Sequence, residues 1–373
     1  MAVEANALFE RTLPRITEDL RELVTRESPS GDAGRVAELA RFVRDALRAR
    51  GVEAETRACP PNGEALLASI GGGGGTLLLG HLDTVWPVGS LDEIPFRIDG
   101  ERATGPGVFD MKAGIAVAMA VLPSLAERPE PPPVGLLLVP DEEIGTQASR
   151  GLVLETARRH RRVLVLEPSL DGAVKLERKG TAVFRLRFRG RAAHAGLDPQ
   201  DGVSALSELA RCVPFLESLA DPSRETTVTP TVARSGDRTN VVPETATLSV
   251  DARVWSKDEA ERLERAVRGY RPRDARVSVE VDAELDRPPL EATAESRALF
   301  EGARRIAREL GHELGAARVG GASDGNLTAA AGVPTLDGLG PRGGGAHSRD
   351  EFVWVTDLPF RAALLARLAK EEA

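Results

Sequence analysis

The sequence predicts an α/β chain of two domains, one inserted into the other, and three observations carry that expectation. At 373 residues the chain exceeds the size at which a single core keeps growing, so a second domain is expected. Short apolar runs at 76–79, 135–139 and 163–166 end in polar residues and are separated by helical segments, as buried strands of a parallel sheet read. From Gly180 the texture changes: Val183, Arg185, Arg187 and Arg189 alternate with Phe184, Leu186 and Phe188, the pattern of a half-buried antiparallel strand.

In chain order, Val36, Leu39, Ala40, Val43 and Leu47 recur at helical spacing after the cap candidates Ser30 and Asp32, and Gly51 closes that helix. The three apolar runs follow, with helices expected at about 112–126 and 147–159. The glycines Gly71 to Gly75 lack a GK[ST] ending and precede a strand, so a flexible hairpin turn is expected and a phosphate loop is not. The middle of the chain reads strand 181–190, helix 203–219, strands 227–234 and 246–254, helix 257–270 and strand 276–282. That βαββαβ order is the ferredoxin-like α+β unit. After Arg287-Pro288-Pro289 the first texture returns, so the expected boundaries are 1–179 and 289–373 for one domain and 180–288 for its insertion.

Hydrophobic residues at 42% and charged residues at 28% place the chain among globular proteins and leave ample material for cores. The net charge of −8 argues against a nucleic-acid partner, which needs clustered Lys and Arg. The one basic run, Arg158 to Arg162, reads as a solvated helix end. No apolar run is expected to approach the roughly 20 residues of a membrane span, and the acidic start lacks signal-peptide character, so no membrane and a cytoplasmic location are expected. Cys59 and Cys212 are the only cysteines, too few for a disulfide framework or a CxxC metal site. Any metal must therefore sit on His, Asp and Glu.

Such residues collect after strand-like runs or in Gly-rich loops: His81 and Asp83 in GHLDTV, Asp110 in GPGVFDMKAG, Glu142 and Glu143 in PDEEIGT, Glu167 in VLEPS and His347 in GGGAHSRDE. Strand-end loops are where α/β folds build sites. Imidazoles with carboxylates are a zinc ligand set, and a shared carboxylate can hold two ions. The neighbours Glu142 and Glu143 can divide the labour of binding metal and taking a proton from water.

Through GHLDTVWP, GPGVFDMKAG, PDEEIGT, LEPS, AAHAG, TNVVPETA, GGASDGN and GGAHSRDE, nearly the whole chain resembles the M20 metallopeptidases, and within them the glutamate carboxypeptidase (carboxypeptidase G) branch. The resemblance implies a zinc-dependent exopeptidase domain interrupted by a ferredoxin-like lid and dimerisation domain. It implies two zinc ions per subunit, with cobalt or manganese as substitutes. His81, Asp110 and Glu167 would hold one ion and Glu143, Asp110 and His347 the other, with Asp110 bridging and a non-proline cis peptide just after it. Glu142 would be the general base, Asp83 would orient His81, and His194 of AAHAG would stabilise the oxyanion, reaching the partner subunit of a homodimer.

Candidates for holding a substrate carboxylate are Lys175, Asn240, Arg253 and Arg287, since guanidinium forks suit carboxylates. Arg253 is equally readable as a surface strand residue and Arg287 as a hinge residue. Ser323 to Asn326 and Gly344-Gly345 are expected to let backbone approach the ligand. Ala113 stands where many relatives carry a second glycine. The implied reaction is release of a C-terminal residue, glutamate among the possibilities, from a peptide or N-acyl amino acid. The alternative is a deacylase of the acetylornithine or succinyl-diaminopimelate type; a non-catalytic relative is disfavoured because every expected ligand is present.

Overall fold

The computed structural model describes residues 2–72 and 74–371. Two compact units emerge: Met1–Leu176 with Ala292–Arg318 and Ser323–Ala373, and Glu177–Glu291 with Val319–Ala322.

The first unit is built on a six-stranded sheet in the order Glu53–Ala58, Glu64–Ile70, Val134–Val139, Thr76–His81, Arg162–Val165, Thr335–Leu336. The last four strands run parallel to one another, while Glu64–Ile70 pairs antiparallel with both its neighbours. The strands at 76–81 and 134–139 are buried at every position because both faces are covered. Leu78, Leu136 and Leu164 join the core on one face, and Leu77, Leu79, Leu137, Val163 and Val165 that on the other. Continuous Leu and Val runs are what a two-faced burial demands. The helix Ala33–Arg48 starts where Asp32 accepts the backbone N–H of Arg35, satisfying one of the donors a helix start leaves open.

Several expectations are corrected here. Gly71–Gly75 is not a hairpin turn, since the strand Val134–Val139 lies between the strands it joins; Gly73 lies outside the described residues. The glycines serve close approach instead. A Cβ on Gly71 would fall 2.4 Å from the carbonyl oxygen of Pro132, and one on Gly75 2.0 Å from that of Pro133. Arg162 is no solvated helix end: it is buried, and its guanidinium donates to Thr76 Oγ1 at 2.9 Å, to the Leu368 carbonyl at 2.7 Å and to the Glu371 carbonyl. The 19-residue stretch Val108–Ala126, at mean hydropathy 1.6, does reach the length and composition of a membrane span. It is mostly buried, and the helix Ala113–Ala126 packs against the helices Ala2–Val24 and Leu358–Leu368 within the core.

The second unit has a four-stranded antiparallel sheet in the order Thr227–Ser235, Thr245–Val254, Gly180–Arg189, Ser278–Arg287. With the helices Ala205–Glu217 and Lys257–Arg268 this is the ferredoxin-like topology. Phe184, Leu186 and Phe188 point into its core and Arg185, Arg187 and Arg189 outward, as a period of two requires.

Candidate metal centre

Three neighbouring parallel strands of the first unit end at the site. His81 is the last residue of Thr76–His81, Glu142 and Glu143 follow Val134–Val139, and Glu167 follows Arg162–Val165. The carboxyl ends of parallel strands leave room for such loops. Asp110 lies in the turn Val108–Lys112 that leads into the helix Ala113–Ala126, and the peptide from Asp110 to Met111 is cis. A small antiparallel sheet pairs Phe352 with Thr104, and so brings the loop carrying His347 to the turn carrying Asp110. His347 itself has φ of +62°, a left-handed conformation uncommon outside glycine and frequent at functional sites.

Asp110 faces two imidazoles with different oxygens: Oδ1 is 3.3 Å from His81 Nε2, and Oδ2 is 3.5 Å from His347 Nε2. Each imidazole has a second carboxylate beside it. Glu167 Oε1 lies 3.4 Å from His81 Nε2, and Glu143 Oε2 lies 3.3 Å from His347 Nε2. Two groups of donor atoms, His81 with Glu142 and Glu167, and His81 with Asp110 and Glu143, each lie within 4.8 Å of one another. By distance alone, then, Glu142 stands as close to a ligand position as the others.

The donor set fits divalent metal on three grounds. A tetrahedral ion with ligands at roughly 2.0–2.2 Å places its donors about 3.3–3.5 Å apart, the spacing these atoms adopt. Glu143 Oε1 is buried and has no hydrogen-bond partner among the described residues, a costly state that a bound cation relieves. The charge also calls for cations, because Asp83, Asp110, Glu142, Glu143 and Glu167 converge on two imidazoles and the ammonium of Lys175.

In the protein without metal, that imbalance moves the titrations. Burial opposes the charge on His81, but the carboxylates of Asp110, Asp83 and Glu167 outweigh it and hold its pKa well above the usual value. Asp110 beside His347 raises the pKa of His347 to about 9. Burial pushes Glu143 up to about 7, with Asp110 and Asp83 adding to the rise and the imidazoles opposing it. For Asp110 burial acts upward, yet the two imidazoles win and hold it well below the carboxylate range.

Asp83, fully buried, braces three of these positions. His81 Nδ1 is 2.9 Å from its carbonyl oxygen and 3.5 Å from its Oδ1, so the backbone makes the shorter contact with the ring. The carboxylate accepts the backbone N–H of Glu142 at 3.0 Å, that of Glu143 at 3.2 Å and the Ser30 hydroxyl at 2.7 Å. The far side of the same loop is pinned by Asp141, which accepts from Ser149 Oγ, the Ala148 N–H and Asn62 Nδ2.

Among the substrate candidates, Lys175 lies in the first unit with its Nζ 3.9 Å from Glu167 Oε2. His194, Asn240, Arg253 and Arg287 lie in the second. Two separate motifs meet there, since the Ala195 N–H donates to the Asn240 carbonyl and the Val242 N–H to that of Ala193. His194 is exposed, and its Nδ1 accepts the N–H groups of Gly196 and Leu197 at 3.1 and 3.0 Å. The ring proton of the neutral form therefore sits on Nε2 as a donor. Arg253 is held in a fork by Asp251 at 2.9 and 3.0 Å and by Thr181 at 2.8 Å, and Arg287 is buried. Ser323 to Asn326 form a buried capping box that starts the helix Asp324–Ala330, and a Cβ on Gly325 would meet Asp337 Oδ2 at 2.7 Å. This run shapes a helix end and carries the Thr146 anchor at Asp324.

Sequence reasoning missed two buried residues that support these loops. Glu351 receives four hydrogen bonds around the Asp110 turn. Arg361 of the last helix donates to Ser169 Oγ at 3.1 Å and to the Gly172 carbonyl at 2.8 Å, beyond Glu167. Both stand inside motif-bearing or helical stretches, and only their position four residues from His347 or on a buried helical face marked them.

Parallel strand ends presenting paired imidazoles and carboxylates in this spacing define a metallohydrolase. The chain belongs to the peptidase family M20/M25/M40, whose sequence profile matches residues 77–371. It is 32% identical to carboxypeptidase G2 of Pseudomonas sp. (strain RS-16), over 97% of this chain and 91% of that one. The aminopeptidase PepT of Bacillus cereus ATCC 10987 superposes with a TM-score of 0.79 at 23% identity, covering 96% and 98% of the two chains. The YXEP protein of Bacillus subtilis, a dinuclear metal-binding peptidase of the M20 family, does so with 0.69 at 18% identity, covering 96% and 98%. These two likenesses show the fold.

Proposed function

We propose that this metallopeptidase is a carboxypeptidase with two metal ions, zinc by preference, which releases a C-terminal residue from a peptide or N-acyl amino acid. The observation that carries the reading is the pair of Asp110 oxygens, each 3.3–3.5 Å from a different imidazole that has its own second carboxylate. His81, Asp110 and Glu167 would hold one ion, and Glu143, Asp110 and His347 the other. Bound there, the ions polarise the scissile carbonyl and acidify water. Glu142 takes the proton of the attacking water as the C–O bond forms, and delivers it to the leaving nitrogen as the tetrahedral adduct collapses and the C–N bond breaks. Asp83 keeps Glu142 at hand by holding its backbone N–H. His194 supplies an N–H donor to the developing oxyanion, through the lid of a second copy in a homodimer. Lys175, Asn240, Arg253 and Arg287 are assigned to the substrate carboxylates, with glutamate among the C-terminal residues released. A cytoplasmic location belongs to the same proposal.

The test is mass spectrometry of products from zinc-loaded protein given C-terminal-glutamate peptides, N-acyl glutamates, other dipeptides and N-acetyl amino acids. Release of free C-terminal residues is expected; release of acetate alone would move the protein to the deacylases. Glu142→Gln is expected to abolish turnover with both metals still bound. A lost metal equivalent would instead make Glu142 a ligand.

A further inference from the structure

We infer that Glu351 is a positioning residue that fixes the bridging ligand Asp110 relative to His347, and so sets the affinity of both metal positions. The inference rests on the metal centre proposed above. Glu351 is 1% exposed, and its carboxylate is saturated by four donors, two on each oxygen. Oε1 accepts the N–H of Phe109 at 2.8 Å and that of Asp110 at 3.0 Å, while Oε2 accepts Trp86 Nε1 at 2.8 Å and the N–H of Gly107 at 2.9 Å. Burial pushes its pKa up, and the N–H groups of Asp110, Gly107 and Phe109 oppose the rise.

Only an ionised carboxyl accepts at every lone-pair site, so this environment selects Glu over any neutral residue of its shape. An amide offers one accepting oxygen and turns two N–H groups against the remaining donors.

The placement gives these bonds a function beyond packing. Glu351 stands four residues after His347, and its own N–H is tied to the Ser348 carbonyl. On the other side it grips the backbone nitrogen of Asp110, whose two oxygens face His81 and His347. The Trp86 contact extends the grip to the loop that follows His81 and Asp83. One carboxylate thus sets the spacing among three ligand-bearing segments. Because Asp110 faces both imidazoles, a shift of its backbone misplaces a donor for both ions at once. Supporting partners of this kind typically govern metal affinity by about 10–100-fold.

The experiment compares the full chain with its Glu351→Gln and Trp86→Phe variants, stripped of metal and titrated with zinc against a chromophoric chelator. Melting is followed with and without zinc. Wild type is expected to bind two equivalents, Glu351→Gln to bind both about 10–100-fold more weakly, and Trp86→Phe, which removes one donor, about 5-fold more weakly. The rise in melting temperature on adding zinc should shrink in the same order. Equal zinc affinities with the same loss of melting temperature in both metal states would overturn the inference, leaving Glu351 as an ordinary structural residue. If Glu351→Gln fails to fold, an unchanged affinity in Trp86→Phe overturns it. A wild-type chain that binds no zinc would overturn the metal centre itself, and this inference with it.

Discussion

Asp83→Asn isolates how much a single buried carboxylate contributes to the centre. The substitution keeps the size of the side chain and exchanges one accepting oxygen for an NH2 group. If that group replaces Oδ2, the Ser30 hydroxyl can rotate and accept from it, but the Glu143 N–H is left facing a donor. If it replaces Oδ1, the Glu142 N–H is orphaned instead. Either way one buried donor loses its partner, at about 1–3 kcal/mol, and the bonds that remain lose their charge assistance, at about 1 kcal/mol. The sum is about 2–4 kcal/mol, which for a chain of 373 residues lowers the melting temperature by roughly 3–5 °C. The state of the metal matters to the measurement. Without metal, Asp83 also repels its neighbours, being one of the charges that raise Glu143, so its removal brings partial relief. With metal bound that repulsion is compensated and the full cost should appear. Calorimetry of the zinc-loaded and the chelator-stripped protein is the assay, with the larger drop expected in the zinc-loaded form. A zinc-loaded midpoint within about 1 °C of wild type would refute the bracing role.

Two further outcomes follow from particular contacts. Gly114→Ala gains about 1 kcal/mol of helix propensity, but a Cβ there falls 2.2 Å from the Leu166 carbonyl oxygen, next to Glu167. A net loss of about 1–3 kcal/mol is expected in urea unfolding, and an unchanged or raised midpoint would contradict the close approach. In the second unit, burial acts to raise the pKa of Glu208, but the N–H of Arg273, the Tyr270 hydroxyl at 2.7 Å and the N–H of Asp274 outweigh it, and the pKa is lowered. A lowered carboxyl contributes stability above its unfolded pKa of about 4.3 and loses it as the pH falls through the folded value. Glu208→Gln should therefore flatten the acid limb of the stability curve and cost about 1–3 kcal/mol at neutral pH; an acid limb of unchanged slope would rule Glu208 out as its source.

Much of the frame was legible because it rests on local periodicity. The runs at 76–79, 135–139 and 163–166 lie within observed strands or a residue beyond them, and the middle segment's βαββαβ order follows from alternation and helical spacing that each element carries within itself. The antiparallel strands Glu53–Ala58 and Glu64–Ile70 were not expected. EAETRA mixes charge with small residues on an exposed edge, and a strand whose partner does most of the burying leaves little pattern. The helix Ala2–Val24 was also passed over, although Phe9, Ile16, Leu20 and Leu23 keep helical spacing.

The candidate ligands could be found by residue type and by motif, since imidazoles and carboxylates after strand-like runs announce themselves one segment at a time. The sequence by itself determined the fold class, the family and the set of residues able to bind metal. Only the tertiary structure decided which atoms face one another: that the two oxygens of Asp110 divide between His81 and His347, that the Asp83 carboxylate lies closer to the Glu142 and Glu143 backbone than to the His81 ring, which its carbonyl meets instead, and that Glu351 grips the Asp110 turn. It also decided that Arg162, in a run that reads as solvated, is buried against the carbonyls of Leu368 and Glu371. The reason is physical. Periodicity and capping act between residues a few positions apart, whereas a buried charge is satisfied by whatever donor the folded chain brings to it, and those partners lie far away along the sequence.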